Sequence, residues 1–213
     1  VLGLPFTIDP MIMYWNRDIF QSVGIANPPE FWDELFTLSP KITQRDTASN
    51  ITRSFTALGE FTNVENAKEI LSAFIIQSGN RIVVPTSNGL ESIINEKLGF
   101  ATPPAEAAVR FYTEFSNPVK SVYSWNKSLP NSKQLFAAGD LAIYFGFASE
   151  FETIIRSNPN LNFNISPLPQ LRDSNTKITY GKMSAFTIPG NSKNQVGALT
   201  VGLALTSIES SAQ

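Results

Sequence analysis

Ser132-Lys133-Gln134-Leu135-Phe136-Ala137-Ala138-Gly139-Asp140-Leu141-Ala142-Ile143-Tyr144-Phe145-Gly146 is the stretch on which the fold class turns. Ser132 to Ala138 reads as a helix, and Gly139 stops it, because glycine enters the left-handed region without a Cβ penalty. Leu141 to Phe145 is a short unbroken apolar run, the pattern of a strand covered on both faces. Helix, glycine, buried strand is a building unit of α/β folds.

The same alternation continues on either side. Downstream, Ser149 is placed to cap a helix running to Arg156, closed by Asn158-Pro159. Leu161–Ser166 alternates as a strand with Asn162 and Asn164 on its polar side. Ile178–Ile188 reads as one or two strands, and Asn194–Leu205 as a helix of small residues. Upstream, Leu2–Ile8 reads as a buried strand ended by a bend at Asp9-Pro10, and Met11–Trp15 is a second apolar run. Asn16 caps a helix over Arg17–Val23 that Gly24 stops. Pro29 opens a helix carrying Phe31, Trp32, Leu35 and Phe36 and ending near Pro40. Ser54–Leu58 is a strand, and Asn63 caps a long helix to Gln77. Ile82–Val84 is extended, and Pro103-Pro104 opens a helix with Ala108, Phe111, Tyr112 and Phe115 on one face. Ser121–Pro130 is an ordered loop holding Tyr123 and Trp125. Trp15 and Trp32 read as core.

Strands alternating with helices predict an α/β fold with a mixed, mainly parallel sheet flanked by helices. Such sheets bind ligands beyond the carboxyl ends of their strands. The segments at Asp9, Gly59–Asn63 and Phe147–Glu150 occupy such positions.

Composition narrows the chemistry. In 213 residues, 42% are hydrophobic and 16% charged, enough to pack a core and too little charge for a disordered chain. Sixteen basic and 18 acidic residues leave a net charge of −2, so nothing favours a nucleic-acid partner. Cysteine and histidine are both absent, which removes disulfides, cysteine nucleophiles, Ser-His-Asp triads and the usual zinc ligands. No metal or cofactor is expected. No apolar run reaches the roughly 18 residues that span a bilayer. The chain opens at Val1 inside a strand-like run, and is read as a fragment or processed product with any export signal upstream.

Five segments, taken in order, resemble one family. They are Pro5-Phe6-Thr7-Ile8-Asp9-Pro10 with Met13-Tyr14-Trp15-Asn16-Arg17-Asp18-Ile19-Phe20, and Gly24-Ile25-Ala26-Asn27-Pro28-Pro29-Glu30-Phe31-Trp32-Asp33-Glu34-Leu35. Phe136–Gly146, Asn158–Phe163 through Pro167-Leu168-Pro169, and Thr179-Tyr180-Gly181 to Ala185-Phe186 complete the set. Together they are similar to family 1 extracellular solute-binding proteins, the maltose-binding-protein-like receptors of ABC sugar importers.

The resemblance implies a type II periplasmic-binding-protein lobe. Residues 1–9 would be a crossing strand from a first lobe, 10–168 the second lobe, and 169–213 the return to the hinge with a remnant of the first lobe. It implies a small-molecule sugar held in an interlobe cleft and handed to a membrane permease, with no enzymatic step. The location would be extracellular or periplasmic, with membrane association only through a lipid anchor outside this chain.

The resemblance also places Asp9 near the ligand, where a carboxylate suits paired hydroxyls, although an Asx-turn would use the same residue. Trp125 with Tyr123 and Asn126 combines an aromatic face with amides, as a sugar needs, or else plugs the core. Phe147, Ser149 and Glu150 follow a strand end where the family often stacks an aromatic on sugar. Ser149 stands where maltose receptors have Trp, and with Glu150 it could instead cap a helix. Asn63 serves as a cap or a contact, and Gly181, Met183 and Ser184 approach from the hinge side. Two further readings remain: a carbohydrate-recognition or adhesion module without transport, and a carboxylate-dependent glycoside hydrolase. For the hydrolase, Glu150 and Glu152 lie two apart on a helix and point in different directions.

Overall fold

Leu4 to Asn16 forms one continuous strand, β1, in the computed structural model, which describes residues 3–172 and 176–206. The first residues of the expected opening strand (Val1 and Leu2), 173–175 and the tail 207–213 lie outside the described residues. The bend expected at Asp9-Pro10 does not interrupt β1. Pro10 instead marks a change of partner: Leu4 to Pro10 pair with β8 (Gly181–Phe186), whereas Met11 to Asn16 pair with β6 (Leu141–Phe147) and β7 (Phe163–Pro167). A residue without an N–H is tolerated where one ladder ends and another begins.

The chain divides there into two compact units, one of Val1–Pro10 with Gly181–Gln213 and the other Met11–Tyr180. Residues 169–180 group with the larger unit.

In the larger unit the order β2-β3-β6-β1-β7 is built from β2 (Gln44–Arg45), β3 (Ile51–Thr56) and the strands above. Among the strands of the described residues, only β3 and β6 run parallel as hydrogen-bonded neighbours, with Ser54 opposite Leu141 and Thr56 opposite Ile143. The expectation of a mainly parallel sheet is therefore corrected. β6, α6 (Phe151–Ser157) and β7 follow each other as a crossover that reads as parallel neighbours, but β1 inserts between the two strands and runs antiparallel to both. Sequence order cannot reveal an inserted strand. All seven residues of β6 are buried, as its apolar run requires.

Most helices follow their local signals. Asn16 caps α1 (Arg17–Ser22) through its Oδ1, which accepts from the Ile19 N–H at 3.1 Å. α4 (Pro104–Glu114) begins at the proline pair, and α5 (Ser132–Ala138) ends at Gly139. Two helices start later than expected. α2 spans Glu34–Ile42 and passes through Pro40, because the backbone before it is engaged by Gln170: Trp32 N–H donates to the Gln170 carbonyl, and Gln170 N–H to that of Glu30. α3 spans Ala67–Gln77, preceded by Asn66 in the left-handed region at φ 59°.

The hairpin β4 (Val83–Thr86) and β5 (Gly89–Ser92) extends the expected Ile82–Val84 segment. Ser149 does not cap α6; it lies within a 3-10 turn, Ala148–Glu150.

The core of the larger unit gathers Met11, Met13, Tyr14 and Trp15 of β1 with Phe20, Trp32, Leu35, Phe55, Phe74, Phe115, Trp125 and Phe136. In the smaller unit, α7 (Gln195–Leu205) lies close to its strands at Gly202, where an added Cβ would meet the Phe186 ring at 2.7 Å.

Candidate functional site

Because β3 and β6 are parallel, their carboxyl ends lie at one edge, and the segments that leave them form a common rim. One segment runs from Ala57 to Asn66, the other from Phe147 to Glu150. A hydrogen bond from Asn66 Nδ2 to Glu150 Oε1, at 3.0 Å, ties the two together.

Glu150 is the knot of this rim. Its Oε1 accepts from the Phe147 N–H at 2.9 Å as well as from Asn66. Its Oε2 accepts from the Tyr144 hydroxyl at 2.6 Å and lies 2.8 Å from Lys133 Nζ. Burial alone would raise its pKa, but Lys133, the Phe147 N–H and the Tyr144 hydroxyl together hold the carboxyl below its ordinary value. Tyr144 moves the opposite way: burial, then the neighbouring Glu150 charge, push its hydroxyl well above the usual phenol range. Gly146 leaves room for the arrangement, since an added Cβ would fall 2.5 Å from the Tyr144 ring and 3.1 Å from Glu150 Oε1. Glu150 thus holds the rim together, and its lone pairs are already committed.

A second network closes the Ser121–Pro130 loop. Asn63 Nδ2 donates to the carbonyls of Asn126 and Leu129, both at 2.9 Å, and Asn63 Oδ1 accepts from Trp125 Nε1 at 3.1 Å. Asn126 donates to the Tyr123 hydroxyl and accepts from Ser128. The backbone of Trp125 is itself pinned, its N–H donating to the Phe115 carbonyl. The two networks meet at the start of α5, where Ser132 N–H donates to the Asn63 carbonyl and Lys133 reaches Glu150.

The expected residues therefore divide. Asn63, Trp125 and Asn126 come together, but as a loop lock. Trp125 is 0% exposed, so its expected stacking role is corrected: the ring offers no face to a ligand, and its N–H serves Asn63. Asn63 likewise caps no helix, because its amide is spent on the loop. Phe147 is buried, edge-on to Tyr180, and its carbonyl accepts from the Tyr14 hydroxyl. Ser149 is exposed on the rim.

In the smaller unit, Asp9 pairs with Lys182, Pro10 with Gly181, Ile8 with Met183 and Thr7 with Ser184. Side chains alternate along a strand. Asp9 and Ser184 consequently share one face of this strand pair. Met183, 61% exposed, shares the other with Ile8.

The rim also holds a residue that the sequence reading passed over. Phe61 is 73% exposed in the segment that follows β3. Its loop is held just before the ring. Ser116 Oγ donates to the Gly59 carbonyl, and the Tyr112 hydroxyl donates to that of Glu60 at 2.6 Å. Gly59 has φ +95° and no room for a side chain beside Ser116. An aromatic ring held outward on an anchored loop presents an open apolar face to solvent. The signal was present: Phe61 falls in a strand-end segment and is flanked by Glu60 and Thr62, outside any periodic apolar pattern.

Among the described residues no group of three or more acidic or other ligating side chains could hold a metal, and no helix is long and apolar enough to cross a membrane.

These features define an α/β fold of type II periplasmic-binding-protein architecture. The chain belongs to the bacterial extracellular solute-binding protein family, whose profile matches residues 1–209. It is similar to a binding protein of Brucella abortus, 26% identical over 204 residues that cover 93% of this chain and 45% of that one. Solved structures share the fold. One is an ABC transporter solute-binding protein from Thermotoga lettingae bound with α-D-tagatose, with TM-score 0.64, 21% identity and coverage of 98% of this chain and 50% of that one. Another is UgpB from Mycobacterium tuberculosis in complex with glycerophosphocholine, with TM-score 0.66, 18% identity and coverage of 99% and 49%. The chain spans about half the length of the relatives it matches.

Proposed function

We propose that this chain forms part of the substrate receptor of an ABC importer that captures a neutral sugar outside the cytoplasm and delivers it to a membrane permease. The observation that carries the reading is Phe61, an exposed ring on an anchored loop at the carboxyl ends of the parallel β3–β6 pair. A sugar presents a C–H face that packs on such a ring, while its hydroxyls seek amides, hydroxyls and carboxylates. Ser149, exposed on the same rim, adds a hydroxyl.

Family membership and the tagatose-bound relative of the same fold support the sugar class. A lipid anchor belongs to this reading too, as a feature of the full-length protein outside the present chain.

The hydrolase reading loses support here. Glu150 is saturated by four partners, and Glu152 is exposed and lies 3.9 Å from Arg156. Glu150 and Glu152 therefore do not form the pair of free carboxylates that flanks a glycosidic bond.

Calorimetric titration of the full-length protein with neutral mono- and oligosaccharides, and with glycerophosphocholine alongside, tests the proposal. A sugar that saturates one site per chain supports it. Binding of glycerophosphocholine alone, or of nothing in the panel, overturns the sugar class.

A further inference from the structure

A second cavity lies apart from the rim, in the larger unit where α3 and α4 face each other. Its volume is about 420 Å³, within the range of small-molecule sites. Trp32, Phe74 and Phe111 line it as an edge-on cluster, with ring centroids 4.5 Å apart for Trp32–Phe74 and 5.2 Å for Phe74–Phe111. Ala107 and Ala108 keep the α4 wall low. Phe100 and Leu171 also line the space and remain 63% and 41% exposed.

Most of the polar lining is already used, with the Thr102 hydroxyl left exposed at the edge of the space. Gln77 Oε1 accepts from Trp32 Nε1 at 2.5 Å, and its Nε2 donates to the carbonyls of Pro169 and Ile178. Ser78 Oγ donates to the Ile75 carbonyl. Among the described residues, no charged side chain lines the space.

We propose that this cavity is a second ligand site, distinct from the sugar rim, for a small uncharged apolar molecule such as a hydrocarbon ring or a short alkyl chain. Polyols and ions are disfavoured, because they would surrender their hydration to a mainly aromatic wall whose Gln77 and Ser78 side chains are committed and whose one exposed hydroxyl, Thr102, cannot replace several lost partners. An apolar guest needs no such partner, and it would cover Phe100 and Leu171 while filling a space that aromatic rings already shape.

The uncharged fluorophore N-phenyl-1-naphthylamine, titrated into the 213-residue chain, tests the assignment. Its emission should rise saturably with one molecule bound per chain, octanol should displace it, and neutral sugars should not. Ala107→Phe, on the exposed side of α4, narrows the cavity without loading the core, and should weaken the probe about tenfold or more. Ala108→Phe fills it from the buried side and should do the same wherever circular dichroism shows a native fold. Undiminished binding in Ala107→Phe overturns the proposal, since the probe then sits on some other apolar surface. A stoichiometry of one probe per two chains overturns it in favour of an interface between copies. No saturable signal in the wild-type chain overturns it outright.

Discussion

Trp125 and Phe61 occupy neighbouring parts of the larger unit's architecture and meet opposite fates. Trp125 stands in a loop rich in polar residues, the setting in which a sugar platform is expected, yet its ring is wholly enclosed and its N–H is held by Asn63. Phe61 stands in a short turn segment without other aromatics, and its ring is exposed while the backbone is fastened before it at Gly59 and Glu60 and after it at Asn63. The same contrast recurs in the carboxylates, where Glu150 is knotted into the rim. Residue type therefore does not separate a platform from a plug. What separates them is whether the side chain's polar atoms and faces are already spent inside the protein.

The contrast breaks most visibly at Trp125. Trp125→Ala should destabilise the chain by about 3–5 kcal/mol, the range for emptying a buried large aromatic site. Urea unfolding would show the shift in midpoint, and a change below about 1 kcal/mol would mean that the ring is not the plug described here. Glu150→Ala comes next, at about 2 kcal/mol, because it leaves Lys133, the Phe147 N–H and Asn66 without their acceptor.

The titration of Glu150 sharpens the point. Its folded-state pKa lies below its ordinary value despite burial, since Lys133 and the donors of the rim favour the charged form. The unfolded chain therefore takes up the proton first as pH falls. The stabilisation is complete above the ordinary carboxylate value of about 4.3, and it is lost as the pH drops through the lower folded value. Urea midpoints measured across that window should fall more steeply for the wild-type chain than for Glu150→Gln, which carries no titrating group there. Parallel curves would mean that the rim network does not hold the charge. The smallest effect on stability belongs to Phe61→Ala, within about 0.5 kcal/mol as for other exposed positions. The same substitution should weaken sugar binding about tenfold, read by calorimetry on the full-length protein.

Much of the fold was legible because its signals are local. The Asn16 cap, the proline pair opening α4 and Gly139 closing α5 are each decided within a few residues. What escaped the sequence is non-local. The insertion of β1 between β6 and β7 joins residues some 130–150 positions apart, as in the Met13–Phe145 and Met13–Ser166 pairs, and leaves no periodic trace. Gln170 delays the start of α2 from equally far away.

The site was half legible for a related reason. The strand-end rule selected the Gly59–Asn63 and Phe147–Glu150 segments, and both lie on the rim. Choosing residues within them required knowing which amides and carboxylates were already bonded. Asn63 looked available from its position, but it locks the Trp125 loop. The strand pair of the smaller unit shows the same limit, since alternation puts Met183 on the face opposite Asp9 and Ser184.

The central claim is that the rim beside Phe61, rather than the Trp125 loop, meets the sugar. Backbone amide chemical shifts of the isotopically labelled chain, followed during titration with a sugar that the full-length protein binds, test it residue by residue and remain readable at weak affinity. The account predicts progressive shifts concentrated at Glu60 to Asn66 and Ala148 to Glu150, with Phe61→Ala abolishing them. Shifts that spare those segments and gather instead around Tyr123 to Ser128, or that persist unchanged in Phe61→Ala, would contradict it.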